Sequence, residues 1–89
     1  MFSKANIRDD VLRVVNKQLK VNLSRDEIKL KLRKDLNMYY SDLVNVVIQL
    51  EMKYHLVIPD DDMNGFNSLD EIIRFIFKNA EVPDEEVVV

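Results

Sequence analysis

Apolar residues in the first twenty positions fall on one face of a 3.6-residue period. Ile7, Val11, Val14, Val15 and Leu19 recur at helical spacing, with Arg8, Asp9, Arg13 and Lys17 between them. That pattern predicts an amphipathic helix from about Lys4 to Leu19 with one buried stripe. The next stretch, Val21 to Leu36, mixes periods. Ser24-Arg25-Asp26-Glu27 has the form of a capping box, in which each side chain satisfies the other residue's backbone N–H. Ile28, Leu30 and Leu32 then alternate with Lys29, Lys31 and Arg33, which is strand-like. The stretch reads as a long ordered loop with one helical turn. Asn37, a residue that tolerates the left-handed conformation, suits its end.

The strongest helix is predicted from Ser41 or Asp42 to about His55. Leu43, Val44, Val46, Val47, Ile48, Leu50, Met52 and Tyr54 make it apolar over most of its circumference, as for a central helix with several neighbours. Ser41 is the expected N-cap, and Asp42 suits the positive helix end. Pro59 introduces a short helical element from Asp60 to about Gly65. Ser68-Leu69-Asp70-Glu71 is a second capping box, opening a last helix with the buried stripe Leu69, Ile72, Ile73 and Ile76 and Phe75 or Phe77 at its edge. The expected architecture is all-α: a small four-helix bundle of three main helices and one short one, with a long loop after the first. The domain spans residues 1–79, and 80–89 read as a flexible acidic tail.

Composition narrows the function. Eighty-nine residues suit one small domain, and one Gly and two Pro leave little turn chemistry for an all-β fold. Without cysteine there is no disulfide framework, thiolate zinc site or thiol nucleophile. The single His, His55, removes a Ser-His-Asp triad as a natural reading and is expected at the surface near a helix C-terminus. Met38, Met52 and Met63 read as core or loop fillers. No acid, base and nucleophile stand together, so a non-enzyme is expected. Neither a signal-peptide run nor a membrane-length apolar stretch occurs, which favours a cytoplasmic protein with no membrane partner.

Net charge is −3 but unevenly spread: residues 1–41 sum to +5 and residues 42–89 to −8. The basic stretch Lys17, Lys20, Arg25, Lys29, Lys31, Arg33 and Lys34 has no interleaved aromatics for base stacking. It reads as a solvated face, and no nucleic-acid partner is expected.

Asp35-Leu36-Asn37, the helix Val44 to Glu51 closed by Tyr54, Ile58-Pro59-Asp60-Asp61-Asp62 and Asn67-Ser68-Leu69 through Ile76 follow one another in an order and spacing that resembles the acyl carrier protein family. The match runs without gaps from about Ile7 to Phe77. The resemblance implies a carrier in fatty-acid-like or polyketide-like synthesis that docks, as a monomer, to synthase or transferase enzymes. It also implies a phosphopantetheine arm on a Ser at the start of the central helix. Tyr39-Tyr40-Ser41 falls on the family's Asp-Ser-Leu, so Tyr40 occupies the attachment position and Ser41 follows it. Two versions stand: Ser41 carries the arm through a shifted register, or the chain is a degenerate carrier kept as an interaction module. In the family the exposed face of the central helix is acidic. Here Asp42, Asn45 and Gln49 are on it and acid moves to Asp60, Asp61 and Asp62, so charge steering toward the usual partners should be weaker. Tyr39 and Tyr40 are candidate aromatic anchors for a partner.

A competing motif overlaps the short helix. Asp60-x-Asp62-x-Asn64-Gly65, five residues and Glu71 fit the calcium-loop pattern of an EF-hand. Asp60, Asp62 and Asn64 would supply side-chain oxygens and Glu71 the clamp. Against it, Pro59 interrupts the entering helix and no second loop follows. No resident metal is expected.

Overall fold

The computed structural model describes residues 3–80, which form four α-helices: α1 Lys4–Leu19, α2 Tyr40–Tyr54, α3 Asp60–Gly65 and α4 Leu69–Asn79. α1 begins where Ser3 accepts the Asn6 N–H at 3.0 Å, an ordinary polar cap. It ends at Lys20, which turns left-handed at φ 58° while its N–H reaches the Asn16 carbonyl. The stripe Ile7, Val11 and Val15 is buried, joined by Leu12. Val14 and Leu19 are half-buried at its margin.

The central position belongs to α1, not to α2. α1 packs against both α2 and α4. α2 turns Val46, Val47, Leu50 and Tyr54 inward, yet Ile48 is 47% and Met52 71% exposed. One α2 face therefore has no neighbour among the described residues, despite its apolar content. Met52 is accordingly no core filler, whereas Met38 and Met63 are buried.

The 21–39 segment is an ordered loop with a 3₁₀ turn over Arg25–Glu27. The Ser24 N–H donates to Glu27 Oε1 at 2.8 Å, the expected capping contact. The alternating stretch after it makes only an isolated antiparallel bridge, Lys31 to Ser68. α4 buries Leu69, Ile72, Ile73 and Ile76 as the period predicts. Phe75 is the edge aromatic, set against Phe66 in a T-shaped pair at 5.8 Å, while Phe77 is exposed. The Ser68–Glu71 capping box does not form. Ser68 is buried in the bridge to Lys31 and makes no side-chain cap, so Glu71 reaches one residue further back, accepting the Asn67 N–H at 2.6 Å. The expected acidic tail lies outside the described residues.

Candidate functional site: the α2 N-terminus and its flanking loop

Backbone hydrogen bonds fix the loop that leads into α2. Leu32 N–H donates to the Asn67 carbonyl at 2.9 Å, and Asp70 N–H to the Ile28 carbonyl at 2.9 Å. These tie the loop to the α3–α4 junction. Within the loop, Met38 N–H reaches the Leu32 carbonyl at 2.8 Å and Asp35 N–H the Lys31 carbonyl at 3.0 Å. The Asp35 carboxylate accepts the Lys31 N–H at 2.7 Å. Leu32 and Met38 anchor the loop in the core, and Asn37 takes the left-handed conformation at φ 55°. Arg33 and Lys34 stand exposed at its tip.

The helix then starts one residue before Ser41. Tyr39 is the N-cap and Tyr40 the first helical residue. Ser41 is therefore not the N-cap. The cap contact comes instead from Asp42, whose Oδ2 accepts the Tyr39 N–H at 3.1 Å, because a carboxylate in the first turn reaches the free amides as well as a cap side chain does. Asp42 also accepts from Gln18 Nε2 at 3.1 Å, a partner on α1 that local sequence gave no sign of. Tyr39 is 76% and Tyr40 49% exposed, and Ser41 is exposed at the second helical position.

Attachment of a phosphopantetheine arm needs an aliphatic hydroxyl at the family's position. In the gap-free register expected from the sequence Tyr40 falls there, and its phenol does not fit that linkage. Ser41 is rotated from it by about 100° on the helix. Beneath the two tyrosines lies a hollow of about 20 Å³ between Leu32, Arg33, Met38, Leu43 and Phe66, room for about one water molecule.

Further along α2, Asn45 and Gln49 are exposed, as expected, beside Ile48 and Met52. The helix holds two carboxylates, and both serve the fold. Asp42 is engaged as above, and Glu51 Oε2 accepts the buried Ile58 N–H at 2.8 Å. Asp60, Asp61 and Asp62 are exposed in the first turn of α3, where the helix dipole favours them. The calcium-loop reading fails here. Residues 60–65 are helical rather than wrapped around a centre, Glu71 is turned to Asn67, and no cluster of three metal-ligating side chains occurs among the described residues. His55 caps α2 at φ 54°, exposed.

Sequence reasoning missed one polar cluster altogether. Tyr54, 2% exposed, donates its hydroxyl to Asp10 of α1. Asp10 also meets Arg13 at 2.7 Å and Lys53 at 3.9 Å. Burial works to raise the Asp10 pKa, but hydrogen bonds from Tyr54 and Arg13 and the charges of Lys53 and Arg13 outweigh it, holding the carboxyl below its ordinary value. For Tyr54, burial and the hydrogen bond to Asp10 both push the phenol upward. The signal was a tyrosine on the inward face of a helix, since buried phenols take a partner; nothing nearby in sequence pointed to Asp10.

No protein-family model matches the chain. Among curated proteins it is 33% identical over 73 residues to an acyl carrier protein of Wolinella succinogenes, covering 82% of this chain and 96% of that one. It is 40% identical over 70 residues to the acyl carrier protein of a Sulfurovum species, covering 76% and 91%. Acyl carrier protein 2, mitochondrial, of Arabidopsis thaliana is 34% identical over 80 residues, covering 90% of this chain and 64% of the plant protein. With its helix order, its turn at Ile58-Pro59-Asp60 and relatives matched over nearly their whole length, the chain belongs to the acyl carrier protein family.

Proposed function

We propose that this protein serves fatty-acid-like or polyketide-like synthesis as a docking module of carrier fold that bears no phosphopantetheine arm, and that it is not itself an enzyme. The observation that carries this reading is the start of α2 at Tyr40, with Tyr39 as its cap and Asp42 closing the turn. A shift of register by one residue, which would bring Ser41 to the attachment position, would break that turn. Docking to synthase or transferase enzymes then rests on the surface around Tyr39, Tyr40, Asn45 and Gln49, with Asp60, Asp61 and Asp62 on the neighbouring short helix. In this reading the protein acts as a cytoplasmic monomer, without a nucleic-acid or membrane partner; no helix among the described residues is long and apolar enough to cross a membrane.

The exposure of Ser41 on the first turn of α2 supports the second reading, in which that hydroxyl takes the arm. The intact mass after incubation with coenzyme A and a broad-specificity phosphopantetheinyl transferase separates the two, with Ser41→Ala alongside. An unchanged mass is the expected result. A gain of one phosphopantetheine that disappears in Ser41→Ala would overturn the armless reading and make this a working carrier.

A further inference from the structure

The surface that flanks the α2 N-terminus is cationic. Lys31, Arg33 and Lys34 are exposed on the fixed loop, and none joins an ion pair among the described residues. Asp35 on the same loop and Asp42 at the start of α2 keep their charge but are turned to amides, Asp35 to the Lys31 N–H and Asp42 to Tyr39 and Gln18, so neither forms an ion pair with these cations. The positive end of α2 adds to the same field. An open groove of about 500 Å³ runs between Lys31, Arg33, Lys34, Asn64 and Phe66. It shares Leu32, Arg33 and Phe66 with the hollow under Tyr39 and Tyr40, so the cations and the exposed aromatics form one continuous surface.

We propose that this surface, built from Lys31, Arg33, Lys34, Tyr39 and Tyr40, docks an acidic protein segment with an apolar anchor. The proposal rests on the docking reading above and names the partner's chemistry. Charge complementarity selects an acidic segment, since Lys31, Arg33 and Lys34 outnumber Asp35 on a fixed loop and join no ion pair among the described residues. Because the loop is already ordered by its backbone bonds, binding forfeits little conformational freedom. The two tyrosines supply the amphipathic contact area that interface centres favour. α3 then sets direction. Its C-terminal Asn64 lines the groove while Asp60, Asp61 and Asp62 stand exposed at its other end, so acidic groups are steered to the loop end and repelled from the start of α3. A long uniform polyanion crossing the groove would meet that repulsion, which favours a short acidic segment over nucleic acid.

The test uses fluorescence polarisation with two labelled amphipathic peptides, identical except that Glu in one is Lys in the other, at low and at physiological salt. The acidic peptide should bind and the basic one should not. The double reversal Arg33→Glu with Lys34→Glu should weaken binding about tenfold or more, and Tyr40→Ala should weaken it as well. Lys78→Glu, in a neighbouring groove with Val57 and Phe75 that meets this surface only at Phe66, should leave it unchanged. All four positions are exposed, so melting curves should confirm an unaltered fold. Preference for the basic peptide, binding of neither, indifference to the double reversal, or tighter binding of a single-stranded oligonucleotide would each overturn the proposal. Arm loading is read by mass and partner chemistry by binding, so each idea fails without the other.

Discussion

Tyr54→Phe tests the polar contact between α1 and α2 while sparing the packing of the ring. The hydroxyl donates to an ionised Asp10 from a side chain only 2% exposed. A hydrogen bond to a charged group contributes about 1.5–3 kcal/mol. Asp10 keeps Arg13 at 2.7 Å and its side chain is 18% exposed, so water and Arg13 take up part of the loss. The lower end, about 1.5 kcal/mol, is therefore expected, or about 6–12 °C in Tm for a domain of this size. The sign of its pH dependence follows from both partners. Asp10 is lowered in the folded state, so its contribution is complete above the unfolded carboxylate value near ~3.9 and is lost as pH falls through the folded one. Tyr54 is raised, so its contribution is complete below the unfolded phenol value near ~10 and is lost as pH climbs beyond it. The gap in Tm between wild type and Tyr54→Phe should be flat from about pH 5 to 9 and should narrow on both sides. Thermal unfolding followed by circular dichroism from acid to alkaline pH measures it. A gap that is the same at pH 3 as at pH 7 would refute the ionic origin of the contact.

Two further outcomes follow from the loop and from α3. Asn16 both donates to the Leu23 carbonyl at 3.2 Å and accepts its N–H at 2.8 Å, so Asn16→Ala should cost about 1–2 kcal/mol and speed hydrogen exchange at the Leu23 amide; unchanged protection there would show that the clamp is not what holds the loop. Calcium should leave Tm unmoved, because a ligand that bound only the folded state would raise it; a concentration-dependent rise abolished by Asp60→Asn would restore the metal loop.

Most of the fold was legible in the periods of apolar residues. α1 ends at the residues its stripe implied, and α4 buries the four residues its period selects. These patterns are local, and burial along one face of a helix leaves a direct mark on sequence. What local pattern could not carry was choice among equivalent partners. Ser41 and Asp42 both suit a helix start, and only the path of the preceding loop, pinned through Leu32 and Asn67, decides that Tyr39 caps and Asp42 supplies the oxygen. Ser68 offered a good capping side chain but was drawn into the bridge with Lys31, a pairing across 37 positions of chain. The apolar content of α2 overstated its burial for the same reason. Whether Ile48 and Met52 find a neighbour depends on which helix lies across them, and α1 lies across the other face.

The residues that flank the α2 start were legible in position, and the bonding of Asp42 was not. Sequence placed Tyr39, Tyr40 and Asp42 together at the α2 start, and it treated Asp42 as part of an outward acidic face. Hydrogen bonding decides otherwise. A carboxylate that accepts a backbone N–H at a helix start, or the amide of a buried residue as Glu51 does for Ile58, is costly to redirect toward a partner, because the amide it leaves behind loses its acceptor. Both α2 carboxylates are held this way, so the outward face is left to Asn45, Gln49, Ile48, Met52 and Lys53. In the proposed docking, the positive charge near Tyr40 comes from the loop, from Lys31, Arg33 and Lys34, which outnumber Asp35 there and join no ion pair among the described residues. Counting acids along a helix measures composition; which of those acids can turn to a partner depends on the amides the fold has already given them.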